Sequence, residues 1–406
     1  MRGLVLTAGG ARGAYQAGVL RRVGELRSLR GRPSPFPIVT GASAGAINGS
    51  IVAAGSLDFR DATRRLARIW SELHVGDVFQ ADPLSLARNG ARLLHDFSVG
   101  ALFGGAGAQS LLDTTPLRDF LARQLRLRGI AKAIDAGVLH AVAISATSYH
   151  SGKSFTFVQG RPGIPLWNKS RRVTLAAKLG VEHILASSAI PIVFPPVRVA
   201  TDAGPLFFGD GAMRLVNPLS PAIRLGASRV FAIGIRCHGS AAELWEAETG
   251  VREGAASATP LAAPPLAQIC GVFLNAIFLD HLDADVDHLL RMNDLVEAHR
   301  AVGGTNNEFG ADGGVREPIR AVQPLVVNPS EDLALVASRF ASKMPRLIRH
   351  MMDGLGTPDA QSADLMSYLL FDAAYLKTLV DIGWRDADAR IDEIEAFLAA
   401  EIAAAA

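Results

Sequence analysis

Residues 37–54 read PIVTGASAGAINGSIVAA, and the fold turns on how this stretch is divided. Ile38, Val39 and Thr40 are β-branched and bounded by turn residues, which predicts a short buried strand. Ala46–Ala54 is an apolar run that reads as a helix. Between them lies Gly41-Ala42-Ser43-Ala44-Gly45. A G-x-S-x-G joining a strand to a helix forms a nucleophile elbow, a strained turn that lifts the serine hydroxyl away from the sheet. Gly41 and Gly45 carry no side chain to collide with the adjoining strand and helix. The helix N-terminus brings a positive dipole end and free N–H groups to the place where negative charge would develop. Taken alone the pattern is ambiguous. In a chain with 40 glycines among 406 residues, small-residue strings arise by chance, and a packing turn without chemistry explains it equally well.

Toward the N-terminus, Gly3–Ala8 reads as a buried strand and Ala14–Leu26 as a helix, with Tyr15, Val19, Leu20 and Val23 on one face. Gly9-Gly10-Ala11-Arg12-Gly13 connects them. Glycines leave backbone N–H groups unshielded, so this loop can bind an anion, either an oxyanion or a phosphate. Phosphate binding fails on detail, because no Lys-Ser/Thr follows and the spacing is not G-x-G-x-x-G. Arg12 has three readings: it orients the loop, counters an anionic head group, or forms a structural ion pair.

Toward the C-terminus, helical patterns occur at 61–73, 116–127, 174–187 and 218–225, with strands at 139–147, 154–158, 197–199, 205–208 and 229–235. This alternation predicts an α/β core around a mostly parallel sheet flanked by helices. A long helical stretch covers 266–300, a strand 322–327, and the chain from Ser330 onward is mainly helical in pattern. Segments 253–265 and 302–318 read as loops or linkers. The expected organisation is a first domain over 1–300 and a mainly helical extension over 301–406.

The third feature is Asp210-Gly211-Ala212, after the apolar Leu206-Phe207-Phe208-Gly209. A carboxylate at the end of a buried strand beside a small, permissive residue is a candidate general base. As an isolated triplet, Asp-Gly is an ordinary turn. At its usual pKa of about 3.9 such a carboxylate is a weak base for a serine proton, so it must be desolvated or paired.

GGARG, GASAG and DGA, in that order, resemble the signature blocks of the patatin-like phospholipase family. Ala186–Pro196 (ASSAIPIVFPP), Leu111–Leu117 and Val216-Asn217-Pro218 are similar to further blocks, so the resemblance spans roughly residues 3–235. It implies a three-layer patatin-like fold and a metal-independent, cofactor-free Ser–Asp dyad acting on acyl esters, usually of lipids. By that resemblance Ser43 is the nucleophile and Asp210 the base. Gly9, Gly10, Ala11, Arg12 and Gly13 form the oxyanion hole. Gly41 and Gly45 frame the elbow, and Gly211 and Ala212 complete the aspartate motif, with Ala where Gly is more frequent. An acyltransferase or thioesterase using the same dyad and a non-catalytic lipid-binding protein are the alternatives.

A Ser–His–Asp triad is the competing arrangement. Of the histidines after Asp210, His238 is its best candidate, because it follows the strand at 229–235. The run Asp280, His281, Asp283, Asp285, Asp287, His288 holds metal-ligating residue types. Its apolar residues lie on another helix face, and the plainer reading is a solvated acidic face.

Hydrophobic residues make up 49% and charged residues 20%, a globular composition, and no apolar run approaches the roughly 20 residues of a membrane span. The two cysteines, Cys237 and Cys270, have no metal-binding or redox spacing, which fits a reducing cytoplasmic setting. Residues 1–200 hold 25 Lys/Arg against 11 Asp/Glu, and the remainder 16 against 28. Arg118–Lys132 (RDFLARQLRLRGIAK) interleaves cations with apolar residues. That pattern describes either a peripheral contact with anionic lipid or an ordinary amphipathic helix with a solvated cationic face. A lipid substrate is expected, and no nucleic-acid partner. The Gly/Ala/Phe-rich stretch 99–108 has the composition of a lid.

Overall fold

The computed structural model describes residues 1–80, 110–169, 171–202, 204–237, 281–302, 320–345 and 363–399, with a few isolated positions between. At its centre the described residues form a nine-stranded sheet. The main path runs β5–β4–β3–β2–β1–β8–β9, where β1 is Arg2–Leu6, β2 Ile38–Ala42, β3 Ala141–Ser148, β4 Ser154–Gly160, β5 Arg172–Ala176, β8 Arg229–Ile233 and β9 Gln323–Val327. From β3 to β9 every pairing on this path is parallel, and β4 turns antiparallel against β3. The hairpin of β6 (Val197–Thr201) and β7 (Gly204–Gly209) attaches through β7, antiparallel to the end of β3. The mostly parallel sheet expected from the alternating pattern is present.

Parallel strands are covered on both faces, and β1, β2, β3 and β8 are accordingly buried almost end to end. One face carries α1 (Gly13–Gly24), α2 (Ala44–Ala54) and α3 (Phe59–Glu72), and their apolar residues join those of β1 and β2 in the larger core. A smaller core on the opposite face gathers Val5, Ile38, Leu219 and Val230 with Leu282 and Leu289 of α7 (His281–Ala301). Between α3 and α7 in the sequence lie α4 (Thr115–Gln124), α5 (Arg128–Asp135) and α6 (Val181–Ser187).

The C-terminal segments pack directly on this frame. β9 extends the sheet beside β8, and α9 (Ala373–Ala389) crosses α1. A Cβ added at Gly18 would lie 2.0 Å from the Val380 carbonyl oxygen, and one at Gly383 would lie 2.1 Å from that of Tyr15. The two helices therefore meet backbone to backbone. Preceding α9 is α8 (Ala363–Leu369), which packs against the loop after β1.

Three expectations need correction. Residues 174–187 are not one helix: Thr174 lies in β5, and α6 begins only at Val181. The local pattern is helical, but pairing with β4 and an Asn168 Oδ1 that accepts the Thr174 N–H at 3.1 Å outweigh it. The basic stretch 118–132 is likewise two helices, α4 and α5, separated by a turn. Finally, Asp285 is not on a solvated acidic face. It is buried, accepting from Asn217 Nδ2 at 2.9 Å and the Leu219 N–H at 2.8 Å. His238, the segments 99–108 and 253–265, and most of 302–318 lie outside the described residues.

Candidate active site

Loop, elbow and aspartate converge at the C-terminal ends of adjacent strands, the usual place for ligands in open α/β sheets. β1 and β2 are neighbours in register Leu6↔Gly41, and β2 and β3 in register Ala42↔Ser145. β7 delivers Asp210 to the same edge through its pair Thr147↔Gly209.

Ser43 leaves β2 with φ 54° and ψ −125° and caps α2. A positive φ on a non-glycine residue is strain of order 1–3 kcal/mol, which persists only where the surroundings enforce it. They do so here. A Cβ at Gly41 would sit 2.2 Å from the Gly45 carbonyl oxygen, and one at Gly45 would sit 2.1 Å from that of Leu6. Both elbow glycines are thus required by close approach of backbone to backbone.

Two serines that the sequence reading left without a role brace this turn. Ser187 Oγ accepts the Ser43 N–H at 3.0 Å and donates to the Ser145 carbonyl at 2.5 Å, while Ser188 Oγ donates to the Ser43 carbonyl at 3.1 Å. The next residue, Ala189, accepts the Asp210 N–H at 2.9 Å, and Thr147 Oγ1 donates to the Asp210 carbonyl at 2.8 Å. The 186–196 block therefore ties the serine and the aspartate to one frame. Adjacent serines in an otherwise apolar helix end were the available signal.

Asp210 is wholly buried. Burial pushes its carboxyl up to about 7, against the pull of the Ser43 hydroxyl and the Ala212 N–H, which favour the anion. Oδ1 accepts from Ala212 N at 2.9 Å. Oδ2 is buried and accepts no hydrogen bond among the described residues. Gly211 is needed for space, since a Cβ there would meet the Ser145 carbonyl oxygen at 2.1 Å. Ala212 fits, its methyl buried in the core.

In the glycine loop, Gly9 leads into a single 3-10 turn, Gly10–Arg12, and Gly13 is already the first residue of α1. Gly10 has φ +54°. A buried polar chain holds the loop from inside: Trp70 Nε1 donates to Asn48 Oδ1 at 2.7 Å, and Asn48 Nδ2 donates to Gln16 Oε1 and the Gly13 carbonyl, both at 3.0 Å. Gln16 Nε2 in turn donates to the Thr7 carbonyl at 2.9 Å. Gln16 and Asn48 are polar residues on otherwise apolar helix faces, which is the sequence signal of this buried chain.

Gly10, Ser43 and Ser188 open onto an apolar pocket walled by Ile47, Trp70, Leu121 and Phe371 among others, about 540 Å³ of space partly open to solvent. Such a lining suits a hydrocarbon chain and gives a charged head group no partner. Among the described residues no cluster of His, Cys, Asp and Glu could hold a metal ion.

The profile of a family described as patatin-like phospholipase matches residues 4–223, just over half of the chain. Curated proteins give no match. Among solved structures, that of VipD from Legionella pneumophila aligns over 92% of this chain and 91% of its own length, at 12% identity and a TM-score of 0.28.

Proposed function

The chain belongs to the patatin-like phospholipase family and is a lipid acyl hydrolase, and on that premise we propose that it cleaves fatty-acyl esters through Ser43 and Asp210 by way of an acyl-enzyme. One observation carries this reading: the strained, buried Ser43 lines an apolar pocket and is held with the wholly buried Asp210 in one frame of hydrogen bonds through residues 187–189. In the proposed course Asp210 takes the Ser43 proton as Oγ bonds to the acyl carbon. Amides of the Gly9–Gly13 loop and the first N–H of α2 hold the resulting oxyanion. The Ser43 N–H is committed to Ser187, so Ala44 is the elbow donor under this reading. Collapse expels the alcohol, which takes the proton from Asp210. Water, deprotonated by Asp210, then attacks the acyl carbon; the bond to Ser43 Oγ breaks, Oγ takes the proton back from Asp210, and the fatty acid is released.

A carboxyl near 7 is well matched to base catalysis at neutral pH. Only its anion accepts the serine proton, so kcat/KM should climb about tenfold per pH unit below 7 and level off above it. A pH–rate profile on a soluble ester checks this, and a flat profile between pH 5 and 8 would remove Asp210 as the base. Hydrolysis should be followed on a panel of phospholipids and neutral glycerides. Added lysolipid distinguishes transfer to an acceptor from transfer to water.

We also propose peripheral contact with anionic lipid through α4 and α5. Leu117, Leu121, Leu125, Ile130 and Ala133 face the core, whereas Arg118, Arg123, Arg126, Arg128 and Lys132 are exposed. Leu117, Phe120 and Leu121 line the pocket beside Ser43, so the helix that carries Arg118 and Arg123 on its exposed side walls the pocket with its inner side. Arg118 pairs with Glu182 at 3.4 Å, a half-exposed contact of little energetic weight. Each surface cation adds on the order of 1 kcal/mol toward an anionic bilayer. Reversing Arg123, Arg126 and Arg128 to Glu should therefore cut sedimentation with phosphatidylserine vesicles by 10²-fold or more (roughly, from that increment). Unchanged sedimentation would remove this face from the proposal. No helix among the described residues is long and apolar enough to cross a membrane.

A further inference from the structure

We infer that residues 363–371 are a positioning element of the active site, clamping the oxyanion loop through Arg12. The inference rests on the reading of Gly9–Gly13 as that loop. Arg12 is only 3% exposed and so is withdrawn from any head group. Its Nε donates to Ser367 Oγ at 2.8 Å, its Nη2 donates to Asp364 Oδ1 at 2.8 Å, and its guanidinium lies 4.5 Å from the centre of the Tyr368 ring. These partners come from more than 350 positions away in the chain and from one helix, α8.

Two further contacts place the same segment against the chemistry. A Cβ on Gly10 would lie 2.5 Å from the Tyr368 carbonyl oxygen, so the segment rests flush on the loop where φ is positive. Three residues on, Phe371 is a wall of the pocket that Ser43 faces. The loop's inner side is held by Gln16 and Asn48, and its outer side by α8. Oxyanion donors act only when fixed within a few tenths of an ångström, and a displacement of about 1 Å can cost on the order of 10²-fold in rate. A buried guanidinium stripped of its carboxylate must move toward water and would carry Gly10 and Ala11 with it. Asp364 and Ser367 thus act through Arg12 and touch no substrate.

The test compares Asp364→Ala with Asp372→Ala in the full chain, using a p-nitrophenyl ester and a fluorophosphonate probe. Asp372 caps α9 through the Ala374 and Tyr375 N–H groups and does not touch Arg12, so its loss loosens the same region without releasing the loop. Asp364→Ala should lower kcat and the labelling rate of Ser43 by about 10²-fold with KM within about twofold. Asp364→Glu should recover most of that loss, and Asp372→Ala should keep kcat near the parent value while lowering Tm. Equal effects of Asp364→Ala and Asp372→Ala on kcat would overturn the clamp while leaving the acyl-hydrolase reading intact. A parent chain that neither hydrolyses esters nor takes the probe at Ser43 would overturn both. Should Asp364→Ala fail to fold, Ser367→Ala, which removes one neutral hydrogen bond, is expected to show the same kcat-specific loss at about tenfold; a parent-like kcat there would also overturn the clamp.

Discussion

Replacing Ser43 with Ala should lower ester hydrolysis by at least about 10⁴-fold and abolish fluorophosphonate labelling, because Ser188, the other hydroxyl among the described pocket residues, is committed to the Ser43 and Ile184 carbonyls. The backbone should tolerate the change, since Ala keeps the Cβ and the bonds to Ser187 and Ser188 come from main-chain atoms of residue 43. Ser43→Gly should be equally inactive but more stable, by about 1 kcal/mol or more, because φ 54° with ψ −125° costs glycine little. Urea denaturation of the three proteins reads this ordering. An active Ser43→Ala protein would end the proposed mechanism. A glycine variant less stable than the parent would end the account of elbow strain.

Asp210→Asn should separate activity from stability. Hydrolysis should fall by about 10²–10⁴-fold, the usual weight of general-base catalysis. Stability should rise at alkaline pH, and the sign follows from linkage. Burial raises the folded carboxyl from 3.8 to about 7, so the folded protein binds this proton more tightly than the unfolded chain does. Ionising it therefore costs stability. That cost is absent below the unfolded value, grows between about pH 4 and 7, and is complete above 7, where a shift of this size corresponds to on the order of 4 kcal/mol. Asparagine has no such proton to lose. Thermal unfolding should show Asp210→Asn above the parent at pH 8, with the difference shrinking as pH falls toward 4. A variant less stable than the parent at pH 8 would contradict a buried carboxylate whose desolvation outweighs its hydrogen bonds.

How much of this was readable in the chain differs from feature to feature. The elbow, the glycine loop and the Asp-Gly were visible because each is a contiguous string whose residues answer a local demand. Gly41 and Gly45 leave room for backbone that passes within van der Waals range, and β-branched residues precede them as a strand requires. The parallel sheet was visible for a related reason, since strands buried on both faces must be apolar throughout. Residues 174–187 misled because a helical pattern is also local, while the partner that made Thr174 part of a strand is β4, which the pattern does not encode.

Arg12 marks the boundary between these two kinds of information. Its place in a glycine loop was plain from the sequence, yet three roles were open to it, because its partners Asp364 and Ser367 are ordinary residues of a helical segment with no motif around them. The same holds for the pKa of Asp210, which comes from desolvation by everything packed about it rather than from any neighbour in sequence. Strings of small residues announce where backbone must turn or approach closely, a steric condition met within a few positions. Which charge is buried, what pairs with it and how far its pKa moves are set by distance and dielectric in the assembled molecule. Those quantities take values only once residues hundreds of positions apart have packed together.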